Sequence, residues 1–409
     1  MKAQRLIRYI KEQVNSIIFK YEHKTDPQHF TRESPLDFVN TTFLILRLIK
    51  RSTKVEIMNF FYELGDKILS PSRQAFAQAR EKISYLVFKD FFDKSCALAV
   101  LDEEAAAFKG FRIFAADGTS FVVGDWKKLH SFFGETTTVE GSSICRIGGM
   151  VDVINNCIVS ALVAPFSSGE RTLALTQIQT LSGVANALFL FDRGYWSPDI
   201  VKNIIGQGQR FLMRLPSNAI RSITKDGSGH VQTGGGQLRY YAFTLPGGSR
   251  EILVTNLTEN EMSDQGLAEL YAMRWGIETK YLELKLRLQL DYLSGSSVNI
   301  VLQDIYSTLL ISNMVAFVCS EADKEIARNT EDKANLHPSI ANRSVCIAAL
   351  RSRFVCIFLL KDPEEVDIAI DRFYKEIARC VTYKGKSKAR LRGKHKRENP
   401  YKARPLSFL

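Results

Sequence analysis

The chain has 409 residues, 45% hydrophobic and 24% charged, the composition of a soluble globular protein with room for two to four domains or subdomains. No stretch reaches the 18 or more apolar residues of a membrane span; the nearest, 309–319, is shorter and broken by Ser312 and Asn313. The net charge is +11, but segment 384–404 holds ten basic residues against the single acid Glu398, leaving +2 for everything else, so the excess is a polycationic tail of the kind that binds nucleic-acid phosphates.

In chain order, residues 1 to about 108 read as helical. Apolar residues recur at helical spacing through Leu6, Ile10, Val14, Ile17 and Ile18, then through Phe38, Phe43, Leu44, Leu46 and Leu48. Ser70-Pro71-Ser72 reads as a helix start. The helix after it carries Arg73, Arg80 and Lys82 beside Phe76 and Leu86, and fits either a DNA groove or plain helical packing. The N-terminus is basic and amphipathic, with no secretory signal expected.

At Phe111 the pattern changes. FRIFAADGTSFVV reads as a strand, a turn and a second strand, with Asp117 ending the first. Residues 144–153 and 157–163 form a hairpin about Asn155-Asn156, and a helix is expected from about Glu170 to Leu181. ALFLFDRGYWSPD gives an apolar strand ending at Asp192, then a helix opened by Ser197-Pro198; GQRFLMRL is a further strand. Residues 216–256, rich in Gly, Ser and Thr with short strands, read as a β-rich insertion.

The stretch 264–285, DQGLAELYAMRWGIETKYLELK, reads as one helix. Tyr271, Arg274, Glu278 and Lys285 then project within roughly 60° of one another, while Leu267, Leu270, Ile277, Tyr281, Leu282 and Leu284 pack elsewhere. The following LELKLRLQL alternates like a strand but is built of helix formers, so the helix end stays open. Further helices follow, the last opened by Asp362-Pro363 and carrying Val366, Ile370, Phe373 and Ile377 on one face. The seven cysteines form no C-x-x-C pair and the six histidines no H-x-x-x-H, so neither a disulfide framework nor a structural zinc site is expected and a reducing cytoplasm fits.

Three acids stand out: Asp117 and Asp192 at strand ends beside Gly118 and Gly194, and Glu278 on a helix. Converging carboxylates suit hard Mg²⁺ ions, and two such ions roughly 4 Å apart serve phosphodiester chemistry. Any one of these acids alone is more often a turn former or an ion-pair partner, and Asp125, Asp152 and Glu170 rank below them as rivals.

At these residues the sequence resembles a family. The pattern Tyr271-x2-Arg274-x3-Glu278-x6-Lys285, the ADGT around Asp117 and the DRGY beginning at Asp192 look like the motifs of the DDE transposases of bacterial insertion-sequence family four. The resemblance spans about 111–297. It implies a ribonuclease-H-like α/β fold: a mixed sheet core with a β-rich insertion, flanked by helical N- and C-terminal regions. It implies Asp117, Asp192 and Glu278 as catalytic metal ligands for two Mg²⁺ ions, with Mn²⁺ as a substitute, and Tyr271, Arg274 and Lys285 as DNA-phosphate contacts. The implied partners are double-stranded DNA, meaning terminal inverted repeats and target, and a second copy in the DNA complex; no membrane partner is expected, and the compartment is the bacterial cytoplasm at the nucleoid.

The division expected is 1–108 helical DNA-end binding, 109–215 and 257–318 catalytic core, 216–256 insertion, 319–383 helical and 384–409 tail. Relatives that cleave through a DNA hairpin are thought to use a tryptophan of the insertion to hold a flipped base. Here Trp126, Trp196 and Trp275 all lie outside it, and Tyr240, Tyr241 and Phe243 are the aromatic groups available. The alternatives are a metal-dependent nuclease on the same core and a non-catalytic DNA-binding protein.

Overall fold

The protein is described from a computed structural model, which covers residues 1–47, 52–65, 69–136, 141–216, 219–220, 222–245, 247–330 and 339–383. Six helices come first: α1 (Lys2–Asn15), α2 (Ile17–His23), α3 (Phe38–Leu46), α4 (Thr53–Leu64), α5 (Arg73–Glu81) and α6 (Leu86–Val100). Leu6, Ile10 and Val14 are buried as their spacing predicts, but Ile17 and Ile18 are exposed: Ser16 ends α1 in an extended conformation and restarts the helix in a new phase. The Ser72 hydroxyl caps α5. Arg80 of that helix does not face a groove; it is buried, donating to Gln303 and Asp304 at 3.0 Å each.

The core follows as β1 (Arg112–Gly124), α7 (Lys127–Phe133), β2 (Ser143–Asp152), β3 (Cys157–Pro165), α8 (Glu170–Thr180), β4 (Ala187–Phe191), α9 (Pro198–Gly206) and β5 (Arg210–Arg214). The β2–β3 turn places Asn156 at φ 52°, in the left-handed region that Asn tolerates. The segment expected as an insertion, 216–256, supplies β6 (Gly227–Thr233), β7 (Gly236–Thr244) and β8 (Arg250–Thr255). These strands are not a separate body. Among the described residues one eight-stranded sheet runs β3-β2-β1-β4-β5-β8-β7-β6, with β1, β4 and β5 parallel to their neighbours within that trio and every other pairing antiparallel. The mixed α/β sheet with flanking helices is the expected fold class.

One expectation fails at β1. The Asp-Gly dipeptide makes no turn; the strand is continuous for 13 residues because β2 pairs along it, Asp117 opposite Gly149 and Gly118 opposite Gly148. What does end near Asp117 is the parallel pairing with β4, whose last partnered residues on β1 and β4 are Ala115 and Leu190.

Then come α10 (Asp264–Ala272), α11 (Trp275–Leu282), a π-helical turn (Glu283–Arg287) and the long α12 (Val298–Thr330). The single helix expected over 264–285 is therefore broken. At 273–277 the backbone tightens to i→i−3 bonds, Arg274 N–H to Tyr271 and Ile277 N–H to Arg274. Residues 282–287 of the alternating LELKLRLQL are helical and π-helical rather than a strand, 288–290 lie beyond the helix, and Leu282 points to solvent instead of packing inward. Among the described residues α12 is the one helix long and apolar enough to cross a membrane, and its apolar window is wholly buried as the central core helix. The chain closes with β9 (Ser339–Ala341), α13 (Arg343–Leu359), α14 (Pro363–Ala378) and β10 (Val381–Tyr383); Val366, Ile370, Phe373 and Ile377 form the buried face of α14.

Candidate active site

Parallel register builds the first half of the site. Ala115 pairs with Leu190 and Phe191 with Met213, so two residues beyond the first pair and one beyond the second bring Asp117, Asp192 and Arg214 level across β1, β4 and β5. Arg214 Nε stands 3.2 Å from Asp192 Oδ1, and its Nη1 donates to Glu251 Oε1 of β8 at 2.7 Å. The Tyr271 hydroxyl, from α10, donates to the same Asp192 oxygen at 3.3 Å.

The other half arrives on α11. Arg274 Nη2 donates to Glu278 Oε1 at 2.7 Å, and the guanidinium carbon lies 5.8 Å from the Tyr271 ring centroid and 5.3 Å from that of Trp275. Arg274 is buried at 5% exposure, and its Nε has no hydrogen-bond acceptor among the described residues. The Tyr281 hydroxyl donates to the Asp117 carbonyl at 2.7 Å, tying α11 to β1. This approach needs glycine. A Cβ at Gly149 would fall 2.5 Å from the Tyr281 hydroxyl, and one at Gly118 would fall 2.7 Å from Glu170 Oε1.

The carboxylates differ electrostatically. Burial pushes the Asp117 carboxyl up to about 6; the Gly118 N–H and Arg274 pull it down, while Glu278 and Glu170 add to the rise. Burial would also raise Asp192, but the Arg193 N–H, Arg214, Arg274 and the Tyr271 hydroxyl outweigh it and hold that carboxyl below its usual value. Arg274 is thus the cation shared by Asp117, Asp192 and Glu278.

Of the six residues singled out in the sequence, five meet here: Asp117, Asp192, Glu278, Tyr271 and Arg274. Lys285 stands apart, donating to the Ser120 carbonyl at 3.2 Å, three residues further along β1. Among the rivals, Glu170 reaches the site over Gly118, Asp152 is a buried partner of Arg112, and Asp125 is exposed outside the cluster. Arg214, Glu251 and Tyr281 were not singled out. Arg214 had a signal, since it closes the strand after the one that Asp192 closes.

Hard carboxylates are the donor chemistry of Mg²⁺, and a nearby cation would favour the ionised form of Asp117, which burial chiefly opposes. Among the described residues no three His, Cys, Asp or Glu side chains already stand at coordinating distance; arginine provides the counter-charge. The donor set fits the ion, with side-chain rotation needed to close on it.

The Escherichia coli (strain K12) protein named "Putative transposase InsZ" is 23% identical over 164 residues, covering 38% of this chain and 52% of that protein, so the chain spans about half the length of the curated relative it matches. The cryo-EM structure of the piggyBac transposase synaptic complex with hairpin DNA superposes with a TM-score of 0.51 at 11% identity, covering 90% of this chain and 85% of that one, and it bears out the ribonuclease-H-like fold. The family model described as "Transposase DDE domain" matches residues 109–314, half of the chain and the segment that carries all three acids, and the chain belongs to that family.

Proposed function

We propose that this protein is a DNA transposase of the family-four insertion-sequence type, which binds transposon ends and cuts and joins DNA strands by phosphoryl transfer. One observation carries the reading: Asp117 and Asp192 lie level on neighbouring parallel strands, and Glu278 joins their charge cluster through Arg274. In this reading Asp117, Asp192 and Glu278 hold two Mg²⁺ ions, or Mn²⁺ in their place. Bound there, the ions would activate a nucleophilic oxygen and stabilise the leaving oxygen of a phosphodiester.

The chain's own residues prepare that chemistry. Arg214 and Tyr271 keep Asp192 ionised and oriented. Tyr281 fixes the backbone at Asp117. Arg274 Nε, buried without an acceptor among the described residues, is a donor suited to a phosphate oxygen of the transposon end, with Tyr271 and Lys285 as the other phosphate contacts. Residues 1–108 are assigned to end binding, 109–215 and 257–318 to the catalytic core, 216–256 to the insertion, and 319–383 to a helical C-terminal region. The tail 384–409, outside the described residues, is assigned to sequence-independent DNA contact. The partners are terminal inverted repeats, target DNA and a second copy pairing two ends, in the bacterial cytoplasm at the nucleoid.

The test incubates the full chain with Mg²⁺, supercoiled plasmid and duplexes carrying the inverted repeats that flank the reading frame. Joined products are expected, and Arg274→Ala or Lys285→Ala should impair end cleavage while leaving the fold intact. Cutting without joining makes the protein a nuclease; binding with neither makes it a DNA-binding protein.

A further inference from the structure

Behind the site, the start of α13 is pinned to α12 at two levels. Asp323 of α12 accepts the Ala341 N–H at 2.7 Å, just before α13 begins. About three turns back along α12, the Ser312 hydroxyl donates at 3.5 Å to Glu283, whose carboxylate also accepts from Arg343 of α13. Ser312, Cys319 and Asp323 fall within roughly 60° of one another on α12, at about 100° per residue. Cys319 is therefore on the face that meets α13, between the two pins, and Cys346 lies one turn beyond Arg343. The two thiols meet there, Cys346 donating to the Cys319 sulfur, both of them buried.

The other cysteines are placed differently. Cys96 and Cys157 give their S–H to the carbonyls of Ile158 and Asn155, burial alone raises Cys145, and Cys356 is exposed. Among the described residues, Cys319 and Cys346 are the pair whose thiols bond to each other. That hydrogen bond and the Arg343 guanidinium outweigh burial and hold the Cys319 thiol below its usual value, the condition of a nucleophilic sulfur. The Arg343 side chain is 18% exposed, so the pair lies beneath a group that solvent reaches.

We infer that Cys319 and Cys346 form a reversible disulfide that staples α13 to α12 when the chain meets a peroxide. The Cys319 thiolate attacks a peroxide oxygen; the O–O bond breaks, the leaving hydroxide takes up a proton as water, and Cys319 becomes a sulfenic acid. The Cys346 sulfur, giving up its proton, then attacks the Cys319 sulfur; the S–S bond forms, the S–O bond breaks and a second water leaves. In sum, two thiols are oxidised by two electrons and one hydrogen peroxide is reduced to two waters. Closing the loop 319–346 constrains the unfolded chain, so the oxidised protein is the more stable form. This chemistry is independent of the DNA-processing site.

The experiment uses the full chain carrying Cys356→Ser and Cys380→Ser, which removes the two cysteines that are not buried. The folded protein is treated with hydrogen peroxide in slight excess, then denatured, and its free thiols are counted and its linked peptides mapped by mass spectrometry. Two of the remaining thiols should disappear, the linked pair should be Cys319–Cys346, and Tm should rise by a few degrees, all reversed by dithiothreitol. Adding Cys319→Ser should abolish the link and the rise in Tm. Thiols that react only after denaturation, a bond between other cysteines, or oxidation of Cys319 to sulfinic acid without a bond would each overturn the disulfide. A Cys319–Cys346 bond that leaves Tm unchanged would overturn the staple.

Discussion

Asp192 and Arg214 close adjacent parallel strands at the same level, with Arg214 Nε 3.2 Å from Asp192 Oδ1. A guanidinium in that position keeps the carboxylate ionised but also repels any cation the carboxylate would hold. Arg214→Gln should therefore tighten Mg²⁺ binding, by up to about tenfold for the loss of a partly screened charge roughly 4 Å away. Titration with Mn²⁺ followed by electron paramagnetic resonance reads the affinity directly. Weaker binding in the variant would mean that Arg214 orients Asp192 more than it competes.

Asp117 carries the opposite burden. Its folded-state carboxyl, at about 6 against an ordinary 3.8, favours the protonated form, so its contribution to stability is present below about pH 4 and is lost as the pH rises through 6. In metal-free buffer at pH 7.5, Asp117→Asn should raise stability, by about 1–3 kcal/mol, while abolishing strand cleavage. Near pH 4 the gain should fade. Glu278→Gln should also lose cleavage yet still bind DNA, and pairing it with Asp117→Asn should cost little more than either alone. Wild-type cleavage by Glu278→Gln would return attention to Glu170, which already lies over Gly118.

The tail is tested by its salt response. Removing residues after Tyr383 deletes ten basic groups, and each phosphate no longer neutralised should reduce the slope of log K against log [salt] by about 0.9. A slope unchanged by truncation would take the tail out of DNA binding.

How much of this was legible depended on whether local pattern or long-range pairing decided the outcome. The apolar run before Asp192 admits one reading, and β4 ends where that run ends. Asp117-Gly118 is a strong turn signal, yet it lies mid-strand because Gly148 and Gly149, some thirty residues away, offer β1 a flat partner. No residue near 273 announces the break between α10 and α11. It follows from Tyr271 docking on Asp192 while Gly276 packs close to Val153, where a Cβ would fall 3.0 Å away. Arg214 needed the parallel register of β4 and β5, which the sequence suggests only once both strands are known to be neighbours.

A buried ion network behind the site makes a pH prediction. Lys280, fully buried, donates to Glu283 Oε1 at 3.1 Å, and Arg343 of α13 reaches both oxygens of Glu283. Burial would raise Glu283, but Lys280 and Arg343 outweigh it and bring the carboxyl down to about 2. A depressed carboxyl contributes stability that is present above its ordinary 4.5 and is lost as the pH falls through about 2. Glu283→Gln should lose that segment of acid sensitivity and be less stable by about 3–5 kcal/mol at neutral pH, because buried Lys280 and half-buried Arg343 lose their partner. Acid titration of urea stability measures both, and an unaltered acid limb would locate the proton uptake elsewhere.

The tightest contact between α11 and the sheet is also the most easily tested. Gly149 faces Asp117 across the strand pair, and a Cβ there would lie 2.5 Å from the Tyr281 hydroxyl, which is buried and bonded to the Asp117 carbonyl. Gly149→Ala should destabilise by about 1–3 kcal/mol through overpacking. Tyr281→Phe should cost about 0.5–1.5 kcal/mol for the lost hydrogen bond. Together they should cost less than the sum, by about 1 kcal/mol or more, because the ring without its hydroxyl leaves room for the new methyl. Glu278 lies three residues before Tyr281, so the displaced helix in Gly149→Ala should slow cleavage more than its Tm loss implies, and the double variant should recover part of the rate. Additive energies with no recovery would mean that α11 yields to the methyl without moving Glu278.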